Sequence, residues 1–324
     1  MKVLLAEDDV ISCKILERNI NKWGYEVAIT QNGKEAWKAL QNHSLRLAIV
    51  DWMMPEMDGV ELCQKIRQAQ KPKYTYIILL TARDNQQDII EGLQAGADDY
   101  MTKPVNFLEL KARLQTGRRI IELEDKLLES QGKLYELATQ DSLTGLWNRA
   151  TIMQFLQEEL EHSSREDYAV SIILLDIDFF KKINDTHGHH TGDLVLKKAT
   201  SCLKKHVRPY DRIGRYGGDE MLIVLPHCSK KNVARIAERL RYQCSKANVR
   251  TTKGPLSLTL SLGCASSEDF VHPTVHSLIL AGDNALYKAK NQGRNCVAIS
   301  EIISKPKKGR SNGTEANRKQ PHSY

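Results

Sequence analysis

The sequence lacks the cysteine patterns that mark disulfide scaffolds and zinc sites. Its seven cysteines, in 324 residues, are scattered singly without a CxxC pair, and their number is odd. Disulfide-rich domains and structural zinc sites require paired or closely spaced cysteines. The pattern therefore predicts no disulfide framework and no zinc, and it indicates the reducing cytoplasm as the location.

Long apolar runs are also absent from the sequence. No uninterrupted apolar stretch approaches the roughly 20 residues that a membrane-spanning helix needs, so we expect no membrane insertion. The chain begins MKVLLAEDDV, in which acids follow a short apolar run directly. This order predicts a first strand rather than a signal peptide.

The net charge of +7 is concentrated near the end of the sequence. Residues 304–324 contain six Lys or Arg and one acid, Glu315, and therefore carry +5 of that total. They contain almost no apolar residues, which predicts a disordered basic tail. The remaining sequence shows little excess charge and no helix-turn-helix pattern, so DNA binding is the function that we least expect.

The length of the chain favours two domains, and the first is predicted over residues 1–120. Here five short apolar runs alternate with amphipathic stretches. This pattern predicts an α/β domain whose five-stranded parallel sheet is doubly wound, with helices on both faces. The predicted strands are 3–6, 27–29, 47–50, 77–80 and 98–101, and the predicted helices are 10–23, 33–42, 59–69 and 86–95.

Polar residues follow the strands of this sheet, where ligands of parallel sheets bind. They are the acids at 7–9, Asp51, Thr81 and Lys103. Converging carboxylates repel one another unless a cation joins them, which predicts a Mg²⁺ site. Beside a cation, Asp51 is suited to attack a phosphoryl group, and Thr81 and Lys103 are suited to contact the transferred oxygens.

In this arrangement the first domain resembles the receiver domain of two-component response regulators. The matching motifs are EDD at 7–9, DWMMPEMDG at 51–59, LTA at 80–82 and YMTKP at 100–104. The resemblance implies Asp51 as phospho-acceptor and a sensor histidine kinase or phosphotransfer protein as partner. The implied ligands of Mg²⁺ (or Mn²⁺) are Asp8, Asp9, Asp51 and the Met53 backbone carbonyl. The implied phospho-switch residues are Thr81, Tyr100 and Lys103.

Residues 105–141 are predicted to form one long connecting helix. A seam with alternating spacings of three and four runs along it: Ile120, Leu123, Leu127, Ser130, Leu134 and Leu137. This seam fits a parallel two-helix coiled coil in a homodimer. The alternative is a single helix that lies along its own domain, since the seam is shorter than three full heptads.

The stretch RYGGDEMLIVLP, residues 215–226, predicts a β-hairpin. Its two glycines, Gly217 and Gly218, are expected at the tip, where the missing Cβ atoms let a charged ligand approach the backbone. Asp219 and Glu220 follow and suit a divalent cation that bridges to phosphates. Taken alone, the motif also fits an ordinary hairpin with a polar tip.

Other residues of the second domain complete a predicted nucleotide site. A strand over 169–175 leads into Asp176. If this strand and the strand after the glycine turn are neighbours, Asp176 would face Asp219, and the two carboxylates could hold one or two cations. Two metal ions suit nucleotidyl transfer. Asn184 and Asp193 offer an amide and a carboxylate suited to the N–H donors of guanine. The candidates for neutralising a triphosphate are Lys181, Lys290 and Arg294.

Residues 142–300 resemble a GGDEF domain, the catalytic module of diguanylate cyclases. The matching motifs are DSLTGLWNR at 141–149, LDIDFFKKINDTHGHHTGD at 175–193, RYGGDE at 215–220 and ALYKAKNQGRN at 285–295. The resemblance implies an α/β fold with a mixed, nucleotide-cyclase-like sheet and the condensation of two GTP into cyclic di-GMP and two pyrophosphates. The implied metal ligands are Asp176, the Ile177 backbone, Asp219 and Glu220. The implied catalytic residues are Asp219, Glu220 and Lys181, and the implied substrate-binding residues are Asn184, His189, Asp193, Lys290 and Arg294.

The family also has a product-inhibition site of pattern RxxD, which Arg208 and Asp211 match here, with Arg239 as a secondary contact. An arginine fork pairs well with a guanine edge or a phosphate. Two positions depart from the family pattern: Met221 replaces Phe, and Ala150 replaces Arg. Neither carries chemistry in the family, and an apolar Met221 is expected to preserve the packing of its strand.

We therefore predict a response regulator with diguanylate cyclase output, switched on when phosphorylation of Asp51 favours dimerisation. The alternative is a catalytically silent receptor that senses cyclic di-GMP through Arg208 and Asp211. It is disfavoured because the carboxylates of the turn are all retained. A cyclase that makes a different dinucleotide is disfavoured by Asp193, which suits guanine.

Overall fold

The computed structural model describes residues 1–41, 45–69, 73–82, 86–251 and 254–301, so the predicted basic tail at 304–324 lies outside the described residues. The chain divides into two compact units, Met1–Lys133 and Leu134–Tyr324. Across the part of the chain that the structure describes, every helix falls short of the length and apolarity needed to cross a membrane.

The first unit is built on a five-stranded sheet of order β2-β1-β3-β4-β5, and all neighbouring strands are parallel. Its elements are β1 (Lys2–Ala6), α1 (Val10–Lys22), β2 (Glu26–Thr30), α2 (Gly33–Leu40), β3 (Leu47–Asp51), α3 (Gly59–Gln68), β4 (Tyr76–Thr81), α4 (Gln86–Gln94), β5 (Asp99–Thr102) and α5 (Phe107–Thr139). The predicted five-stranded parallel sheet is confirmed.

Both faces of this sheet are buried, as in a doubly wound fold. Leu4 and Val50 belong to one apolar cluster, whereas Leu5 and Ile49 belong to the cluster on the other face. Successive side chains of a strand point to opposite faces, so continuous apolar runs fill both clusters. The same topology brings the carboxyl ends of β1 and β3 side by side.

Helix α5 has 33 residues, and its first half packs on the first unit. Leu110, Leu114, Gly117 and Ile121 are buried there. The predicted seam is a different stripe, and its later members are exposed. Their exposed fractions are 58% for Leu123, 57% for Leu127, 63% for Leu134 and 71% for Leu137. From Leu123 onwards, therefore, the leucines of the seam are mostly exposed in the part of the chain that the structure describes.

The second unit contains a mixed sheet, as predicted. This sheet has five strands in the order β12-β11-β6-β8-β7, and β9 and β10 form a separate hairpin. Its elements are α6 (Arg149–Glu166), β6 (Ser171–Ile177), α7 (Phe180–His187), α8 (His189–His206), β7 (Arg212–Gly217), β8 (Glu220–Leu225), α9 (Lys230–Ser245), β9 (Asn248–Thr251), β10 (Gly254–Ser257), β11 (Leu260–Ser266), α10 (Val275–Asn291) and β12 (Val297–Ile299).

Helices cover both faces of this sheet as well. One apolar cluster contains Val195 of α8 and Met221 of β8, and the opposite cluster contains Ile152 of α6 and Leu278 of α10. Met221 is fully buried, so the thioether fills a core position of the strand.

Strand β6 lies two residues further along the chain than predicted. The predicted strand ended at residue 175, but the ladder to β8 continues to Asp176 and the ladder to β11 continues to Ile177. The polar Asp176 remains in the strand because both of its neighbours supply pairing partners, Glu220 on one side and Ser261 on the other.

Candidate functional site

The carboxylates of Glu7, Asp8 and Asp51 converge at the carboxyl ends of β1 and β3. One oxygen of each lies within 4.8 Å of the others, and among the described residues no other trio of acid, histidine or cysteine ligand atoms is this close. Glu7 and Asp51 are buried, whereas Asp8 is exposed. Oxygen-only donors at this spacing fit a hard divalent cation.

Lys103 neutralises part of this charge. Its Nζ lies 2.9 Å from Glu7 Oε2 and 2.8 Å from Asp51 Oδ2. Burial raises the pKa of Glu7, and the charge of Asp51 adds to this effect while Lys103 opposes it. Burial lowers the pKa of Lys103, but its bonds to the two carboxylates outweigh burial and raise it. The ammonium therefore stays charged between the two carboxylates.

The predicted ligand Asp9 points elsewhere, and Glu7 lies in the cluster instead. Asp9 Oδ2 accepts a hydrogen bond from the Ser12 backbone N–H at 2.7 Å, which caps α1 and lowers the pKa of Asp9. An acid directly before a helix is a favoured cap, so the sequence carried this signal. The role of Asp9 as a ligand remains a prediction.

The other predicted residues of the first unit lie around the same end of the sheet. Met53 is in the loop after β3 and is exposed. Thr81 is buried at the last position of β4. Tyr100 is half-buried on β5, with the Arg113 guanidinium 6.0 Å from its ring centre.

The glycine turn of the second unit has its tip one residue later than predicted. Gly217 pairs with Glu220, so the two tip residues are Gly218 and Asp219. The register shifts between Arg215 and Gly217, and this irregularity moves the tip. Gly218 has a φ of 53°, which favours glycine, and a Cβ at either glycine would meet nothing within 4 Å. The backbone of the turn is therefore open to a ligand.

Three carboxylates lie beside this turn with few counter-charges. Asp176 and Glu220 are register partners on β6 and β8, and Asp219 precedes Glu220. Burial makes the largest contribution, and the charge of Asp176 the next largest, in raising the pKa of Asp219 to about 6. Burial also raises the pKa of Glu220. Lys290 Nζ lies 2.7 Å from Asp176 Oδ2. The residues fit a divalent cation, because crowded half-buried carboxylates gain most from added positive charge.

Asn184 presents a buried acceptor without a donor. Its Oδ1 accepts no hydrogen bond among the described residues. A Cβ at position 192 would collide with this oxygen, so Gly192 of α8 is needed to leave room for it. A buried, unpaired carbonyl oxygen is costly unless a ligand donates to it. His189 begins α8, and the half-buried Asp193 lies one turn later.

The predicted phosphate-binding residues occupy two helices and the turn after the second. Lys181 is exposed on α7, and Lys290 is on α10. Arg294 follows α10, and its guanidinium lies 4.8 Å from the ring centre of Phe179. The structure thus places Lys290 in contact with Asp176, an acid of β6 beside the turn.

Arg215 ties the glycine turn to the start of the domain, a role that the sequence did not predict. Its Nε donates to the Gly218 carbonyl at 2.8 Å, and its Nη1 lies 3.0 Å from Asp141 Oδ2. Asp141 also accepts from the Thr144 N–H and hydroxyl. Although burial raises the pKa of Asp141, the bonds from Thr144 and Arg215 outweigh it and lower that pKa.

A basic cavity of about 280 Å³ lies between the end of α8 and α9, lined by Arg208, Asn232, Arg235, Ile236 and Arg239. Arg235 was not predicted. Arg239 Nη2 donates to the His206 carbonyl at 2.9 Å. The Asp211 carboxylate accepts the Arg208 backbone N–H at 2.8 Å, and burial raises its pKa.

The chain thus folds into an α/β domain with an all-parallel sheet and an α/β domain with a mixed sheet, and each has carboxylates grouped at its strand ends. Residues 3–115 match the family described as response regulator receiver domain. Residues 138–296 match the family described as diguanylate cyclase, GGDEF domain. The chain belongs to the response regulators that carry a GGDEF domain.

Individual relatives agree with this assignment. The chain is 31% identical to the response regulator PleD of Caulobacter vibrioides over 91% of this chain and 65% of PleD. It is 38% identical to diguanylate cyclase DosC of Escherichia coli over 59% of this chain and 42% of DosC. The chain therefore spans less than two thirds of these curated relatives. A crystal structure of the coiled coil and GGDEF domain of DgcB from Caulobacter crescentus, in complex with c-di-GMP, matches 59% of this chain and 99% of that one, with 30% identity and a TM-score of 0.52.

Proposed function

We propose that the protein is a diguanylate cyclase, which condenses two GTP into cyclic di-GMP and two pyrophosphates under the control of Asp51 phosphorylation. The observation that carries this proposal is the cluster of Asp176, Asp219 and Glu220 at an open glycine turn, with the pKa of Asp219 raised to about 6. Half-buried acids whose pKa values are raised by burial and by a neighbouring charge are candidates for a catalytic site.

The metal ligands in this proposal are Asp176, Asp219, Glu220 and the Ile177 backbone carbonyl, for Mg²⁺ or Mn²⁺. Bound there, the cation would neutralise phosphate charge and make the α-phosphorus more electrophilic. Asp219 and Glu220 would serve to accept the proton of the attacking 3′-hydroxyl, since burial raises the pKa of both carboxyls towards the range that suits a general base.

Substrate recognition would use the two helices after β6. The unpaired Asn184 Oδ1 is an acceptor for a guanine N–H, and the Asp193 carboxylate accepts the remaining donors of the guanine edge. Adenine lacks the N1–H donor, so this pair of acceptors favours GTP. His189, Lys181, Lys290 and Arg294 complete the binding set.

Two sites must meet for each reaction. In each half-reaction the 3′-oxygen of one GTP attacks the α-phosphorus of the other, and pyrophosphate leaves. One site holds one GTP, so a homodimer is required. The exposed part of the α5 seam, from Leu123 to Leu137, offers the surface for such a dimer. Phosphorylation of Asp51 by a histidine kinase or phosphotransfer protein would favour this pairing.

Product inhibition is assigned to the basic cavity of α8 and α9. Arg208 and Arg239 both line it and suit the phosphates and guanine edges of cyclic di-GMP. Asp211 supports the site through its hydrogen bond to the Arg208 backbone. DgcB, which the chain resembles over the second unit, was solved in complex with c-di-GMP.

The test is to incubate the purified chain with GTP and Mg²⁺ and to identify the products by mass. We expect cyclic di-GMP and pyrophosphate from the wild type and from Glu161→Gln, a control on the exposed face of α6. Asp219→Ala is expected to form neither. A silent wild type that still binds cyclic di-GMP would support the receptor alternative, and product from Asp219→Ala would contradict the metal assignment.

A further inference from the structure

The turn after α10 has an unusual backbone. Gly293, Arg294 and Asn295 have φ values of 105°, 62° and 45°, so all three lie in the left-handed region. This conformation costs about 1 to 3 kcal/mol for a residue other than glycine, and it persists only when neighbouring groups hold it. Contacts with other segments must therefore stabilise the left-handed backbone of Arg294 and Asn295.

Asn295 is held from two sides. Its backbone N–H donates to Asp178 Oδ2 at 3.0 Å. Its side-chain Oδ1 accepts from Arg241 Nη1 of α9 at 2.8 Å. Arg294 is fixed in turn by its N–H bond to the Ala289 carbonyl and by the ring of Phe179 under its guanidinium. Asp178 and Phe179 are consecutive residues, so one short segment contacts both residues of the turn.

Both carboxylate oxygens of Asp178 accept hydrogen bonds, one of them from the Asn295 N–H. Asp178 is 4% exposed, and its other oxygen accepts from the Ser261 hydroxyl at 2.6 Å. Both oxygens therefore have donors, and neither belongs to the acid cluster of the glycine turn. Asp178 lies two residues after Asp176, the predicted metal ligand. The structure gives it a different role.

We propose that Asp178 is a positioning residue, which fixes the left-handed turn at Gly293–Asn295 and thereby presents Arg294 to the phosphates of the substrate. Asp176 contacts Lys290 at one end of this basic segment, and Asp178 contacts Asn295 at the other. The segment from Asp176 to Asp178 thus orders two of the three predicted phosphate-binding residues, Lys290 and Arg294. This inference rests on the proposed function, because it takes a nucleoside triphosphate as the ligand.

The test compares two ligands of the full chain in Mg²⁺ buffer by calorimetry: GMP and α,β-methylene GTP, which cannot release pyrophosphate. Asp178→Ala is expected to bind the triphosphate analogue about tenfold more weakly, a loss of about 1.4 kcal/mol, and to bind GMP as the wild type does. Asp178→Asn is expected to rescue binding, because its amide oxygen can still accept from Asn295 while its NH₂ donates to Ser261. Ser261→Ala, the control, removes only the other bond and should retain the preference for triphosphate.

A double mutant separates positioning from a general structural effect. If Asp178 acts through Arg294, the double mutant Asp178→Ala/Arg294→Ala should bind the triphosphate analogue as weakly as Arg294→Ala alone. Additive losses, or equal losses for GMP and the triphosphate, would overturn the inference. Arg241→Met provides a second route if Asp178→Ala fails to fold, because it removes the side-chain bond to Asn295. It is expected to weaken triphosphate binding about threefold without affecting GMP.

Failure of the inference is distinguishable from failure of the proposed function. Equal triphosphate binding by the wild type and Asp178→Ala contradicts the positioning role, whether or not the wild type makes product. A wild type that binds the analogue and forms no cyclic di-GMP contradicts the cyclase assignment and leaves the positioning role supported by the selective loss in Asp178→Ala.

Discussion

Replacing Asp219 by asparagine should stabilise the metal-free protein near neutral pH. Burial, followed by the charge of Asp176, raises the pKa of Asp219 from 3.8 to about 6. A raised folded-state pKa contributes stability that is fully present below the unfolded-state value and is lost as the pH rises through the folded-state value. An amide has no proton to lose, so the variant keeps this stability at higher pH.

The size of the stability gain in Asp219→Asn follows from the same pKa change. Each tenfold change in proton affinity is worth about 1.4 kcal/mol, so the rise from 3.8 to about 6 corresponds to about 3 kcal/mol above about pH 7. Asp219 is only half-buried, and solvent screening reduces this value. We expect Asp219→Asn to raise the free energy of unfolding by about 1 to 1.5 kcal/mol at about pH 7.5, and by much less at about pH 4.

The assay is urea unfolding after chelation, followed by hydrogen exchange in the β8 peptide Glu220–Leu225, which reports on the second unit alone. Glu161→Gln, which also removes a carboxylate, is the control and should leave stability unchanged at both pH values. Added Mg²⁺ should stabilise the wild type more than Asp219→Asn, because binding to the folded state raises its stability. A variant equal to or less stable than the chelated wild type at neutral pH would refute the reasoning.

Three further substitutions test other contacts. Lys103→Met leaves two buried carboxylates without their cation, so it should destabilise the first unit by about 2 kcal/mol at neutral pH in urea unfolding. Unchanged stability would show that the ion pair does not stabilise this unit. Arg215→Ala should lower cyclic di-GMP formation at least tenfold, whereas exposed Arg212→Ala should not, and equal rates would show that the turn needs no support from Asp141. Leu127→Asp should shift the phosphorylated chain towards monomer in sedimentation, and an unchanged dimer would exclude the seam as the interface.

The parallel sheet of the first unit was predictable because its signals are local, whereas the mixed sheet of the second was implied by the resemblance to GGDEF domains. Apolar runs at regular βα spacing specify β1 to β5 of the first unit, and each ends where a polar residue begins. The acids at 7–9 show the limit of this reasoning. The resemblance to receiver domains implied Asp8 and Asp9 as metal ligands, and that role of Asp9 remains a prediction. In the structure Asp9 accepts from the Ser12 N–H at the start of α1, and Glu7 lies beside Asp8 and Asp51.

Contacts between distant residues were not predictable from local patterns. Arg215 and Asp141 are 74 residues apart, and Asp178 and Asn295 are 117 apart. Each pair forms only because the order of strands in the mixed sheet brings its segments together. The bulge in β7 likewise depends on pairing with β8, and it moved the tip of the turn from the predicted Gly217–Gly218 to Gly218–Asp219.

The central claim is that phosphorylation of Asp51 controls the synthesis of cyclic di-GMP. The most direct test measures the rate of product formation from GTP and Mg²⁺, with and without a small-molecule phosphoryl donor, in the wild type and in Asp51→Asn. The account predicts that the donor accelerates the wild type severalfold and leaves Asp51→Asn at its basal rate. Equal stimulation of both proteins, or none of either, would contradict it.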